Sequence, residues 1–115
     1  MSLKENVDNL NQMILEGHIL EAFDKFYHDD VVMVDNNGSY SGKETNRKRE
    51  QQWLAGVTAF NAAEVKAVAV GDGVTMVEWH FDYEHKELGH AKYDQVAVQR
   101  WKDGQIIHER FYMAG

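Results

Sequence analysis

Residues 77 to 83 read Val77-Glu78-Trp79-His80-Phe81-Asp82-Tyr83. Apolar and polar side chains alternate without a break, which is the period of a strand with one buried face. Val77, Trp79, Phe81 and Tyr83 are therefore expected to face a core, and Glu78, His80 and Asp82 to face away from it. The strand extends over 74–85. Gly71-Asp72-Gly73 separates it from an upstream strand at 62–70. Downstream, Lys86 to Gly89 turn the chain into a strand at 90–101, and Asp103-Gly104 turn it again into 105–113. Short turns between long strands predict an antiparallel meander. On its last strand Ile107, Glu109, Phe111 and Met113 share one phase. A carboxylate on an apolar face is costly unless it is paired or exposed. Either a bulge throws Glu109 outside, or it lines a pocket.

The first half of the chain reads differently. Leu3, Val7, Leu10, Ile14 and Leu15 recur three and four apart, with Ser2 and Glu5 spaced as a capping box, and predict a helix over 3–16 that Gly17 ends. Ile19, Ala22, Phe23 and Phe26 form the buried stripe of a second, shorter helix from His18 to Tyr27. His28-Asp29-Asp30 break that pattern. Val31 to Val34 and Ser39-Tyr40 flank Asn36-Asn37-Gly38 as a hairpin. Gly42 then opens a third helix over 43–56, polar except for Trp53, Leu54 and Val57. Its Arg47-Lys48-Arg49 cluster reads as a solvated face.

Three helices and a meander can bury their apolar faces only against each other. The fold class is α+β, with the three N-terminal helices packed in a curled, mostly antiparallel sheet. A long twisted sheet covered on one side curls into a cup, and a cup lined by aromatics is a place for a small ligand. The 115 residues fit one domain, 1–115, and 43% hydrophobic residues can fill its core.

A net charge of −7 repels phosphate backbones and anionic bilayers, so neither nucleic acid nor membrane is an expected partner. No run reaches the ~18 to 20 apolar residues of a membrane helix. The N-terminus carries no basic segment followed by an apolar stretch, so a cytoplasmic location is expected. The absence of cysteine excludes disulfides and thiolate chemistry. His80, His85, His90 and His108 show no metal-ligand spacing, although His85 and His90 flank a turn and could face each other across it. No metal and no cofactor are expected.

Gly17-His18-Ile19-Leu20-Glu21-Ala22, Tyr27 to Asp35, Gly42 and Asp103-Gly104-Gln105-Ile106 together resemble the SnoaL-like and ketosteroid-isomerase-like branch of the nuclear-transport-factor-2-like superfamily. The resemblance spans essentially the whole chain and implies a cone-shaped αβ barrel. It also implies a general-base aspartate at Asp35. Steroid isomerisation further needs two acidic donors, and the positions that align with them are Leu10 and Ala97. Neither can donate, and each lost donor costs on the order of 2.7 to 4 kcal/mol at the transition state.

Asp35, Glu109 and Tyr27 are the candidate catalytic residues, and Trp53, Trp79, Phe81, Tyr93, Phe111 and Met113 the candidate substrate-binding ones. Asp35 reads either as a turn residue bonding the backbone of Asn37 or Gly38, or as a pocket base. Two functions follow. One is a small-molecule-binding protein with cofactor-independent acid/base chemistry on an apolar or cyclic substrate. The other is a non-catalytic ligand-binding or association module, its cup either packed shut by Trp79, Phe81 and Trp101 or simply holding a ligand. The mixed outer face of the sheet, with His80, Val96, Val98 and Tyr112, suits a homodimer contact, and dimerisation through the sheet is common in the resembling family.

Overall fold

The computed structural model describes residues 2–114. Helices α1 (Leu3–Leu15), α2 (Ile19–Phe26) and α3 (Lys43–Gly56) pack on the concave side of one six-stranded sheet. Its strands are β1 (Tyr27–Asp35), β2 (Gly38–Ser41), β3 (Val57–Val70), β4 (Val74–His85), β5 (Gly89–Lys102) and β6 (Gln105–Ala114). They lie in the order β2-β1-β6-β5-β4-β3, so the sheet is curled and unclosed, with β2 and β3 at its edges. Only β1 and β6 run parallel; every other pair is antiparallel.

The meander and its phase match the sequence pattern. Val77, Trp79 and Tyr83 are buried, and their β5 partners Ala97, Gln95 and Ala91 share their face. The β5–β6 register then sets Ala97 opposite Phe111 and Gln99 opposite Glu109. A bulge lies between Arg100 and Trp101, where one step on β5 spans His108 to Ile106 on β6. It turns Ile106, not Ile107, into the core, where it is fully buried. The slip falls before Glu109 and leaves that residue facing inward.

β1 begins at Tyr27 and runs through His28-Asp29-Asp30, the stretch expected to end the second helix ahead of a strand starting at Val31. Pairing accommodates these polar residues by an irregularity. From Tyr27 to Val32 the chain advances five residues while β6 advances only from Ile106 to His108. Val31 and Met33 then point into the main cluster with Leu10, Phe23 and Phe26.

The helix ends follow local chemistry. The Ser2 hydroxyl accepts from Glu5 N at 3.1 Å, and the Glu5 carboxylate accepts from Ser2 N at 3.2 Å. At the other end His18 N donates to Met13 O and Gly17 N to Ile14 O, with Gly17 at φ +87°, the left-handed cap glycine tolerates best. α3 has almost no apolar stripe, and polar contacts seat it. Asn46, fully buried, donates from Nδ2 to Gly42 O and Tyr40 O, and Arg47 clasps Asp24 through two bonds.

At the α3–β3 junction Gly56 lies against the buried His85 ring. The ring's Nδ1 accepts from Glu87 N and Leu88 N, so its proton sits on Nε2, which donates to Trp53 O at 3.1 Å. His85 thus locks the end of α3 to the β4–β5 turn, while His90, on the opposite face, binds Asp82. The two histidines do not face each other. Among the described residues no three histidine or acidic side chains converge as a metal site, and no helix is long and apolar enough to cross a membrane.

A Cβ at Gly56 would stand 2.3 Å from His85 Cε1 and Nε2. Gly56→Ala should therefore expel the ring from its three bonds and cost about 3 kcal/mol, from overpacking and lost hydrogen bonds together. Urea unfolding checks this, and a change within about 0.5 kcal/mol would show that the ring is not the lock.

Candidate functional site

The concave face and the helices enclose a cavity of about 620 Å³, within the range of small-molecule sites. Trp53, Trp79, Phe81, Tyr93, Phe111 and Met113 all line it, as do Tyr27, Asp35 and Glu109. Exposed Leu15, Phe60 and Met113 mark its rim. Trp101 packs beside Phe26 and Val77 in the core and leaves the hollow unfilled.

Glu109 is the most deeply placed of the charged residues, 1% exposed. Strand phase and the parallel neighbour Met33 fix its direction. Tyr27 Oη donates to its Oε1 at 2.5 Å, and Gln99 Nε2 donates to its Oε2 at 2.8 Å. Behind Gln99 the network continues. Trp101 Nε1 donates to Thr75 Oγ1 at 2.8 Å, and Thr75 Oγ1 donates to Gln99 Oε1 at 2.7 Å. An indole N–H can only donate. It therefore fixes the hydroxyl proton of Thr75 on the Gln99 side and turns the N–H of Gln99 toward Glu109. Every bond in the chain points at the carboxylate.

Burial and these donors oppose each other. Loss of solvent pushes the Glu109 carboxyl up to about 7, while the bonds from Tyr27 and Gln99 hold it from rising further, and the charge of Glu50 adds to the rise. Burial beside Glu109 also drives the Tyr27 phenol well above its ordinary value, so it stays protonated as a donor. The result is a carboxyl that changes protonation near neutrality, with a fixed hydroxyl at its side.

Asp35 is occupied otherwise. Its Oδ1 accepts from Asn37 N at 2.8 Å and Gly38 N at 3.2 Å, closing the hairpin turn. Its Oδ2 accepts from Arg49 Nη2 at 3.0 Å. The turn contacts weighed from the sequence are made, and Asp35 also borders the cavity, with turn amides and a guanidinium on its oxygens. Arg49, expected on a solvated face, faces inward instead. It also bonds Asn46 and lies over the Tyr40 ring, 3.4 Å from its centroid.

Glu50 is the functional candidate that apolar patterning misses. It borders the cavity and, among the described residues, makes no hydrogen bond. Burial raises its pKa, and Arg49 partly offsets the rise. Asn46, Arg49, Glu50 and Trp53 lie three, four and seven apart. Helical spacing applied to polar residues would have revealed that inward stripe.

Glu109 makes stability depend on pH. Its folded pKa of about 7 lies above its ordinary 4.5, so between those values the folded state holds a proton the unfolded chain has released. Its share of stability is present below about 4.5 and is lost as pH rises through 7, on the order of 3 kcal/mol in all. Urea unfolding of the protein and of Glu109→Gln at pH 5 and pH 8 should show the variant losing less stability across that interval. Equal losses would mean that Glu109 does not titrate there.

A family model for the SnoaL-like domain matches residues 1–113. No curated protein is significantly similar in sequence. Solved structures share the fold. A Mesorhizobium loti protein named as a SnoaL-like polyketide cyclase superposes with a TM-score of 0.87 at 24% identity, over 97% of this chain and 99% of that one. A nuclear-transport-factor-2-like protein of unknown function from Burkholderia pseudomallei gives 0.83 at 11% identity, over 99% and 92%. A protein with a ketosteroid-isomerase-like fold from Catenulispora acidiphila gives 0.77 at 14% identity, over 96% and 86%. With the family model spanning residues 1–113, the chain belongs to the SnoaL-like domain family.

Proposed function

We propose that the chain binds a small, largely apolar or cyclic molecule in the cavity and moves a proton on it, with Glu109 as the acid/base group and Tyr27 as its hydroxyl partner. One observation carries this reading: a buried carboxyl poised near 7 at the floor of an apolar hollow, beside a phenol that is already hydrogen-bonded to it. General acid–base catalysis is most effective when the group's pKa lies near the working pH. Asp35, with Arg49 and the turn on its oxygens, serves as a wall residue that fixes α3 to the β1–β2 hairpin. No cofactor is required for such a transfer. The open hollow counts against a cup packed shut, and the buried carboxyl beside a phenol favours proton transfer over ligand holding alone.

The test uses proton exchange, which needs no knowledge of the natural substrate. Cyclic ketones and 1,3-dicarbonyls with acidic C–H bonds are incubated with the protein in deuterated water and followed by proton NMR. Deuterium should enter at the activated carbon, and Glu109→Gln should slow it at least about 100-fold, the usual weight of a general base. Tight binding with no exchange would leave ligand binding without catalysis, the module reading.

We also propose a homodimer through the outer sheet face. Met76, Val96, Val98 and Tyr112 form its centre, with Tyr112 51% exposed. Glu78 and Arg110 flank this centre in its own rows, and a two-fold axis running across the strands would bring each near the other from the partner copy. Sedimentation should report a dimer that Val98→Asp converts to monomer. A monomeric wild-type protein at tens of micromolar would overturn it.

A further inference from the structure

The cavity wall carries four carboxylates, Glu16, Asp35, Glu50 and Glu109, against one cation, Arg49. That cation is already committed. It is bonded to Asp35 and Asn46 and stacked on Tyr40. Glu50 and Glu109 therefore face the hollow without a salt bridge of their own, Arg49 only partly offsetting the burial of Glu50. Glu50 makes no hydrogen bond among the described residues, yet its charge reaches Glu109, Tyr27 and Tyr93 and makes each harder to deprotonate. Burial makes both carboxylates harder to ionise, and that cost falls when a cation enters beside them. The rings around the hollow add to this. Trp53, Trp79, Phe81 and Tyr93 offer aromatic faces, which attract ammonium groups, most strongly when desolvated.

We propose that the site selects an organic cation: a cyclic or planar apolar body carrying one protonated nitrogen, seated with that nitrogen toward Glu50 and Glu109. This inference rests on the reading of the cavity as a binding site and names the class of molecule it takes. Neutral molecules of the same shape gain the apolar contacts alone. Anions of the same shape meet a wall with more carboxylates than cations and bind weakest.

A matched trio tests it: 2-naphthylmethylamine, 2-naphthylmethanol and 2-naphthoate. They share one ring system and differ in charge. Binding is read at pH 8 by calorimetry, where the amine is protonated and Glu109 is ionised. The amine should bind about tenfold or more tighter than the alcohol, and the naphthoate weakest. Glu50→Gln should remove about tenfold from the affinity for the amine and leave the alcohol unchanged. Equal affinities for amine and alcohol, or tightest binding of the naphthoate, would overturn the cation assignment while leaving the cavity a binding site. An unchanged preference in Glu50→Gln would overturn the role of Glu50. If none of the three binds, the binding-site reading fails with it. The wild-type ordering decides the charge preference by itself should the variant not fold.

Discussion

One carboxyl sets the terms for the rest of the molecule. Glu109 is almost wholly buried, and an ionised carboxylate in such a place costs several kcal/mol unless donors surround it. The chain supplies two of them, and each charge-assisted bond returns about 1.5 to 3 kcal/mol. Gains and losses of similar size leave the group between its two protonation states. The balance depends on direction as well as number. Trp101, packed in the core beside Phe26 and Val77, has only a proton to give, and that single fact orders Thr75 and Gln99 beyond it. An amide turned the other way would present oxygen to oxygen. The polarity of the site is therefore written in a residue that does not touch the cavity.

The fold serves this arrangement by holding three strands in strict register. Thr75, Gln99 and Glu109 lie side by side across β4, β5 and β6, and Tyr27 reaches the same carboxylate from the start of β1. A one-residue slip would turn Glu109 to solvent and bring a charged outer residue inward. The bulge at Trp101 is consistent with this demand. It absorbs a mismatch near the last turn, seats Ile106 in the core and leaves the pairing beyond it in phase.

Much of the architecture was legible in the chain because strand alternation is local. Val77 to Tyr83 announce their own inward face, and glycine-bearing turns mark the meander. Tyr27 and Glu109 were reachable the same way, from phase and position. The rest of the site was hidden for two physical reasons. Thr75, Gln99 and Trp101 become neighbours only through register, since Thr75 and Gln99 stand 24 residues apart. On α3 the inward stripe is polar, so a search for apolar periodicity passes over Asn46, Arg49 and Glu50 and reads the helix as a solvated surface. The role of Asp35 stayed open from sequence for that reason: it turns on Arg49, whose side chain was assigned to water.

The place of β6 in the sheet has a bearing on how the molecule assembles. The β1–β2 hairpin and the β3–β4–β5 meander share no strand pairing of their own, and β6 alone stitches one to the other. Until residues 105–114 have been synthesised, a nascent chain holds two half-sheets with bare inner edges. The hollow has no floor, because Glu109 arrives with the seam. Formation of the cavity is thus coupled to the closing step of a topology in which distant segments must pair, and such pairing leaves strand edges open to wrong partners meanwhile.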